Sequence, residues 1–252
     1  VKDRSLDKSL SLSKMEEKMF LFWRLVLAHL IADFPLQTDK VFVMKRAHSW
    51  GVVLHASVAG VLGLIFAGRY LTYPEVVVGL LLLWLTHIFI DKVKLVLNQR
   101  LGRERVDLFL LDQALHIGLI WLFVQLVNVQ GRLPIRLAGI SHLYNSDNFV
   151  KLLSGYIVAT YGVMLLIYSI KSTLGLNAEL PQFRQRLLEF LERGAIVTLV
   201  MVGGLFCLLI PVLLVPRMAL FLRKEWSLWS LDMVLSVIFS LLVGVTLSQL
   251  VT

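Results

Sequence analysis

Residues 76–97 read VVVGLLLLWLTHIFIDKVKLVL. From Val76 to Ile90 the chain runs without a charge. A helix rises about 1.5 Å per residue, so the 22 residues of this stretch can cross roughly 30 Å of hydrocarbon. Inside lipid only a helix or a closed barrel satisfies every backbone N–H and C=O, so the run predicts a membrane helix. Yet it carries His87 and Asp91, one turn apart and on one face. Ionisable groups are costly at that depth. They face the interior of a bundle and by default mark a functional site.

The rest of the chain repeats the pattern. Apolar segments fall at about 20–34, 51–67, 75–97, 107–128, 150–170, 194–215 and 228–251. Hydrophobic residues make up 58% of the chain and its mean hydropathy is +0.78. Soluble domains are nearer about 45–50% apolar. The expected fold is therefore all-α: a polytopic membrane bundle of six to seven apolar helices. The formal net charge of +8 lies mostly between the apolar windows, where basic residues orient helices and meet anionic lipid. No basic-aromatic interleaving points to nucleic acid. The single cysteine, Cys207, allows no intrachain disulfide and reads as a small packing residue.

By chemistry the chain divides into a polar N-terminal segment (1–19), a half rich in intramembrane His and Asp (20–128), a loop (129–149) and an apolar supporting half (150–252). The last offers a surface to membrane lipid or to a membrane-protein partner. A short amphipathic surface helix is expected after Pro181, and Glu192, Arg193 and Arg217 read as interfacial anchors. The front of the chain resembles a signal peptide. Its charged region is long and mixed in sign, Arg24, His29 and Asp33 interrupt the apolar part, and no small-x-small site follows, so it reads as retained.

If all seven segments cross, Lys and Arg are almost evenly shared between the two sides. If the first, which is short and interrupted, enters and returns or lies at the interface, the count becomes fifteen against six. That arrangement is favoured here. It predicts that the loops after segments one, three and five lie in the cytoplasm.

Four of the six histidines lie within apolar segments, and three have an aspartate one turn away: His29 with Asp33, His87 with Asp91, and Asp112 with His116. His55, in VVLHASVAG, stands alone; His48 and His142 read as loop residues. In an up-and-down bundle all seven side chains of this set fall at similar depth, near one membrane face. Nitrogen and carboxylate donors together suit zinc, and also iron or manganese. Seven exceed one tetrahedral site and could hold two metals with an open position for water. Asp33, Asp91 or Asp112 could instead serve as general base for bound water. Gln37 and Gln113 are candidates for supporting or substrate-contacting roles. Lys92 and Lys94 could hold an anion such as a phosphate headgroup, or simply anchor the helix at the interface. The plain alternative for the set is structural: polar pairs that join helices.

At these residues the chain resembles a bacterial membrane-protein family known as domain of unknown function 3307. Its pattern runs HxxADFxLQTD, an isolated H, HxxxDxxK, then DQxxH. Here these appear as HLIADFPLQTD, LHASV, HIFIDKVK and DQALH, in order over about residues 25–120. The resemblance sets Asp39, Lys92 and Gln113 beside the ligand candidates. It names no reaction. A looser similarity of ligand pattern is to YdjM-like membrane-bound metal-dependent hydrolases and zinc-dependent phospholipase C, which implies clustered zinc and a hydrolytic reaction on a phosphorylated or lipid-derived substrate. The intramembrane HxxxD pairs also resemble the metal sites of cation diffusion facilitators. Transport sites usually sit near the midplane, whereas this set is offset and no inverted repeat is visible. The remaining alternative is a non-catalytic subunit of a larger membrane assembly.

Overall fold

The structure is a computed structural model that describes residues 2–129, 131, 133–135, 139, 141–176, 178–221 and 229–251. Every regular element among them is helical. Arg132, Arg136, Arg223 and Lys224, used in the charge count, lie outside the described residues, as does the side chain of Arg217. Five helical runs are long and apolar enough to cross a membrane: Ser49–Thr72, Pro74–Leu101, Val106–Leu126, Asp147–Thr173 and Leu231–Val251. The chain is a helical membrane bundle. It forms two compact units, residues 1–102 with 110–150, and residues 103–109 with 151–252.

The first unit is built on α1 (Lys2–Asp33), α2 (Asp39–Ala47), α3 (Ser49–Ala67, prolonged by a 3-10 turn at Gly68–Thr72), α4 (Pro74–Leu101) and α5 (Val106–Leu126). α4 starts on Pro74, whose missing N–H is no loss in a first turn, and stops at Gly102 in the left-handed region. From Phe20 to Phe34, α1 is almost completely buried, which is what an all-round apolar helix requires. It runs antiparallel to α3: the Phe20 ring lies 6.3 Å from that of Tyr70, and Asp33 lies 3.3 Å from His55. The expected return of the first segment therefore does not occur. α1 follows α3 along its length, and the polar residues before it simply continue the same helix.

One buried cation makes this possible. Arg24 is fully buried, and its guanidinium donates to the carbonyls of Tyr144 (2.6 and 3.1 Å) and Phe20 (3.0 Å) and pairs with Asp147. It thereby ties α6 (Ser141–Asn145) and the start of α7 (Asp147–Ile157) to α1, inside what was expected to be a plain loop.

In the second unit α7 passes through a π-helical turn, Val158–Gly162, into α8 (Val163–Thr173). Then come α9 (Phe183–Val202), a 3-10 stretch at Gly204–Leu209, α10 (Ile210–Phe221) and α11 (Trp229–Val251). Ala159, Val197 and Leu247 form its core. Two expectations change here. The amphipathic stretch after Pro181 is the front of α9, not a separate surface helix. The 194–215 segment is broken at Gly203 and Gly204, whose φ of 70° and 59° only glycine adopts readily. Arg193 is no interfacial anchor either. It is 2% exposed and donates to Glu189 (2.9 Å), Ser236 Oγ (2.8 Å) and the Thr160 carbonyl of the π turn (2.9 Å). A widened turn offers carbonyls beyond the regular helical ladder, and this one is used by a buried cation.

Candidate metal centre

Four helices of the first unit each bring their polar residues to one place. α1 supplies His29 and Asp33, α3 His55, α4 His87 and Asp91, and α5 Asp112 and His116. None of the seven is more than 6% exposed. The i, i+4 spacing puts each pair on one face, and antiparallel packing brings the end of α1 to the start of α3. The His29 and His116 rings lie 4.8 Å apart, His87 and His116 4.2 Å, and His55 and His87 5.5 Å.

Both His55 Nε2 and His87 Nε2 approach Asp33 Oδ1, at 3.3 and 3.4 Å, and Asp91 Oδ2, each at 3.7 Å. Three triads place their ligand atoms within 4.8 Å of one another: His29, Asp33 and His87; His55, His87 and Asp91; Asp33, Asp112 and His116. These groups could hold a metal ion. His87 and Asp33 are each shared by two triads, so the three form one continuous cluster rather than separate sites.

The hydrogen bonds around the cluster show which atoms face inward. Gln113 donates to Asp33 Oδ2 (3.1 Å) and Asp112 Oδ2 (3.0 Å). Lys94 donates to Asp112 Oδ2 (2.8 Å). Lys45 bridges Asp91 Oδ2 (2.7 Å) and Gln37 Oε1 (2.9 Å). His116 Nδ1 lies 2.8 Å from the Asp112 carbonyl, which only an N–H can satisfy, so the neutral ring keeps its lone pair on Nε2. Left over are Nε2 of His29, His55, His87 and His116, with Oδ1 of Asp33 and Asp112. All six are buried without a hydrogen-bond partner. An orphaned buried polar atom costs about 1–3 kcal/mol. Six together cost about 6–18 kcal/mol, as much as the whole stability of a typical domain. The charge balance points the same way: three carboxylates face two ammonium groups.

Every ligand candidate expected from the sequence thus lies in the cluster. Gln113 and Lys94 hold its carboxylates directly, and Gln37 acts one step further out through Lys45. Lys92 does not join. In HIFIDKVK the lysine three residues after Asp91 is Lys94, and Lys92, about 100° away around the helix, is exposed. Asp39 opens α2 on an exposed position, where a carboxylate complements the helix dipole. His48 is exposed and stacks on Trp50, while His142 lies in α6. Sequence reasoning missed Lys45. It sits in a polar stretch between apolar segments, and only the corner between α2 and α3 brings it to Asp91.

Residues 21–138 match the model of a family described as "Protein of unknown function (DUF3307)". This region is similar to the DUF3307 family. All seven ligand candidates, together with Lys45, Lys94 and Gln113, fall inside the DUF3307 region. No curated protein and no solved structure matches the chain.

Proposed function

We propose that this protein is a membrane-embedded, metal-dependent hydrolase acting on a phosphorylated or lipid-derived substrate. The observation that carries the reading is the set of six buried, unpartnered ligand atoms converging from four helices. The donors are imidazole nitrogens and carboxylate oxygens, which fit zinc best and also suit iron or manganese. His29, Asp33, His55, His87, Asp91, Asp112 and His116 would hold the metal. When bound, it supplies a Lewis acid that lowers the pKa of coordinated water.

The chain's own groups have separable tasks. Lys45 and Lys94 donate to Asp91 and Asp112 and fix their orientation. Gln113 orients Asp33 through one oxygen and leaves the other free. One of Asp33, Asp91 and Asp112 could accept a proton from bound water instead of holding the metal; Asp33 and Asp112 each keep one unpartnered oxygen for either task. Lys92, on the outer side of α4, serves as an interfacial anchor. Lys40 and Arg46 on α2 and Arg100 at the end of α4 lie on the stretches that join the cluster's helices. On that ground we place it toward the cytoplasm of the inner membrane.

Metal analysis of detergent-purified protein tests the reading. Stoichiometric zinc, iron or manganese is expected. Loss of metal is expected in Asp91→Ala and His87→Ala, with helicity by circular dichroism retained. Wild-type protein without bound metal would remove the proposal. Metal uptake into proteoliposomes, with no release of phosphate or headgroup from phosphorylated lipid, would replace hydrolysis by transport.

A further inference from the structure

The histidine side of the cluster is not walled off from the helices' apolar faces. A narrow cleft of about 50 Å³ lies among α1, α3, α4 and α5. Three of its lining residues are His29, His87 and His116; the rest of its wall is apolar apart from Thr86. A second groove, of about 400 Å³, lies on α3 and α4 and shares Gly60, Leu80 and Trp84 with the first. Its rim is formed by Val61, Leu64, Val77 and Leu81, each between 43% and 55% exposed. These residues sit on two spans that cross the hydrocarbon, so the groove opens to lipid and not to water.

Two features show that the path is more than a packing gap. Small residues line α3 where it faces α4, and a Cβ added at Gly60 would come within 3.0 Å of the Trp84 ring. Trp84 stands where the two spaces meet, and its indole N–H is buried without a hydrogen-bond partner. A donor left unbonded in hydrocarbon costs about as much as any other orphan. An acceptor on a molecule lying in the cleft would satisfy it.

We propose that the substrate is a membrane lipid reaching the site sideways, between α3 and α4. Its apolar chain lies along Gly60, Leu80 and Trp84, an ester or phosphate oxygen accepts from the Trp84 indole, and the headgroup reaches His29, His87 and His116. This rests on the hydrolase reading and narrows it to substrates that carry a hydrocarbon chain.

The test uses the full chain in phosphatidylethanolamine vesicles containing phosphatidylglycerol with a diazirine on its acyl chain. After photolysis, labelled peptides are mapped by mass spectrometry and metal content is measured on the same samples. Labels should concentrate on residues 57–64 and 77–84. They should be lost in Gly60→Leu, with metal unchanged. If that variant fails to fold, Ala59→Leu on the inner wall serves the same purpose. Labels spread evenly over the lipid-facing helices, and insensitive to both variants, would overturn the lateral path even if metal is bound. Wild-type protein without metal would remove the hydrolase reading instead, whatever the labelling shows.

Discussion

Asp33 is the carboxylate for which the described residues provide no lysine or arginine. Its Oδ2 accepts from Gln113, and its Oδ1 meets only histidines. Asp91 and Asp112 each have a lysine, so the bare site is one positive charge short. Lys45 is the informative residue to change, because it touches a ligand and is not one. Lys45→Met should weaken metal binding by about 10–100-fold, the usual effect of removing a group that orients a ligand. Isothermal titration of metal-stripped protein would measure it. Arg24 makes a different prediction. Arg24→Met leaves Asp147 without its buried cation and should cost about 3–5 kcal/mol, read as a lower unfolding temperature in detergent. Next to it, the Tyr144 hydroxyl donates to the Phe66 carbonyl (2.8 Å), and burial pushes its pKa up from 10.0 to about 12. The folded state therefore holds this proton more tightly than the unfolded chain. The contribution is complete below pH 10.0 and disappears as pH rises toward about 12. Tyr144→Phe should flatten that part of the stability profile.

At the scale of the element, the site depends on how helices are joined as much as on what they carry. α2 is a short, mostly exposed helix whose use is to present Lys45. Thr38 caps it, and His48 ends it just before α3 begins. The corner is tight: a Cβ on Gly51 would lie 2.5 Å from the Met44 carbonyl. Gly51→Leu should displace α2 from α3 and release Asp91 from Lys45. Metal affinity should then fall as in Lys45→Met, although no polar group has been removed; affinity equal to wild type would show that the corner does not position the lysine. The break at Gly203 and Gly204 and the π turn at Val158–Gly162 are corresponding features in the second unit, where they interrupt segments that hydropathy alone reads as continuous.

At the scale of the whole molecule, the DUF3307 match falls in the first compact unit apart from residues 103–109, and it contains the entire cluster. The second unit has polar structure of its own. Lys171 pairs with Asp232 (2.9 Å), and Arg193 with Glu189. Arg193→Met should lower thermal stability while leaving metal stoichiometry unchanged; loss of metal in that variant would show that the cluster depends on the second unit. Much of this could be read from the chain directly. Uncharged runs long enough to cross lipid admit only helices, because no water is present to bond a free backbone. The period of 3.6 residues puts His and Asp at i, i+4 on one face whatever the neighbours do. Those two constraints are local, and they determined the bundle and all seven ligand candidates. The packing of α1 along α3, the choice of Lys94 over Lys92, the capture of Lys45 and the burial of Arg24 and Arg193 were decided only by tertiary structure. Each depends on a partner distant in sequence. A charge can be placed in hydrocarbon only when the fold brings its counter-group to it, and no periodicity encodes that meeting.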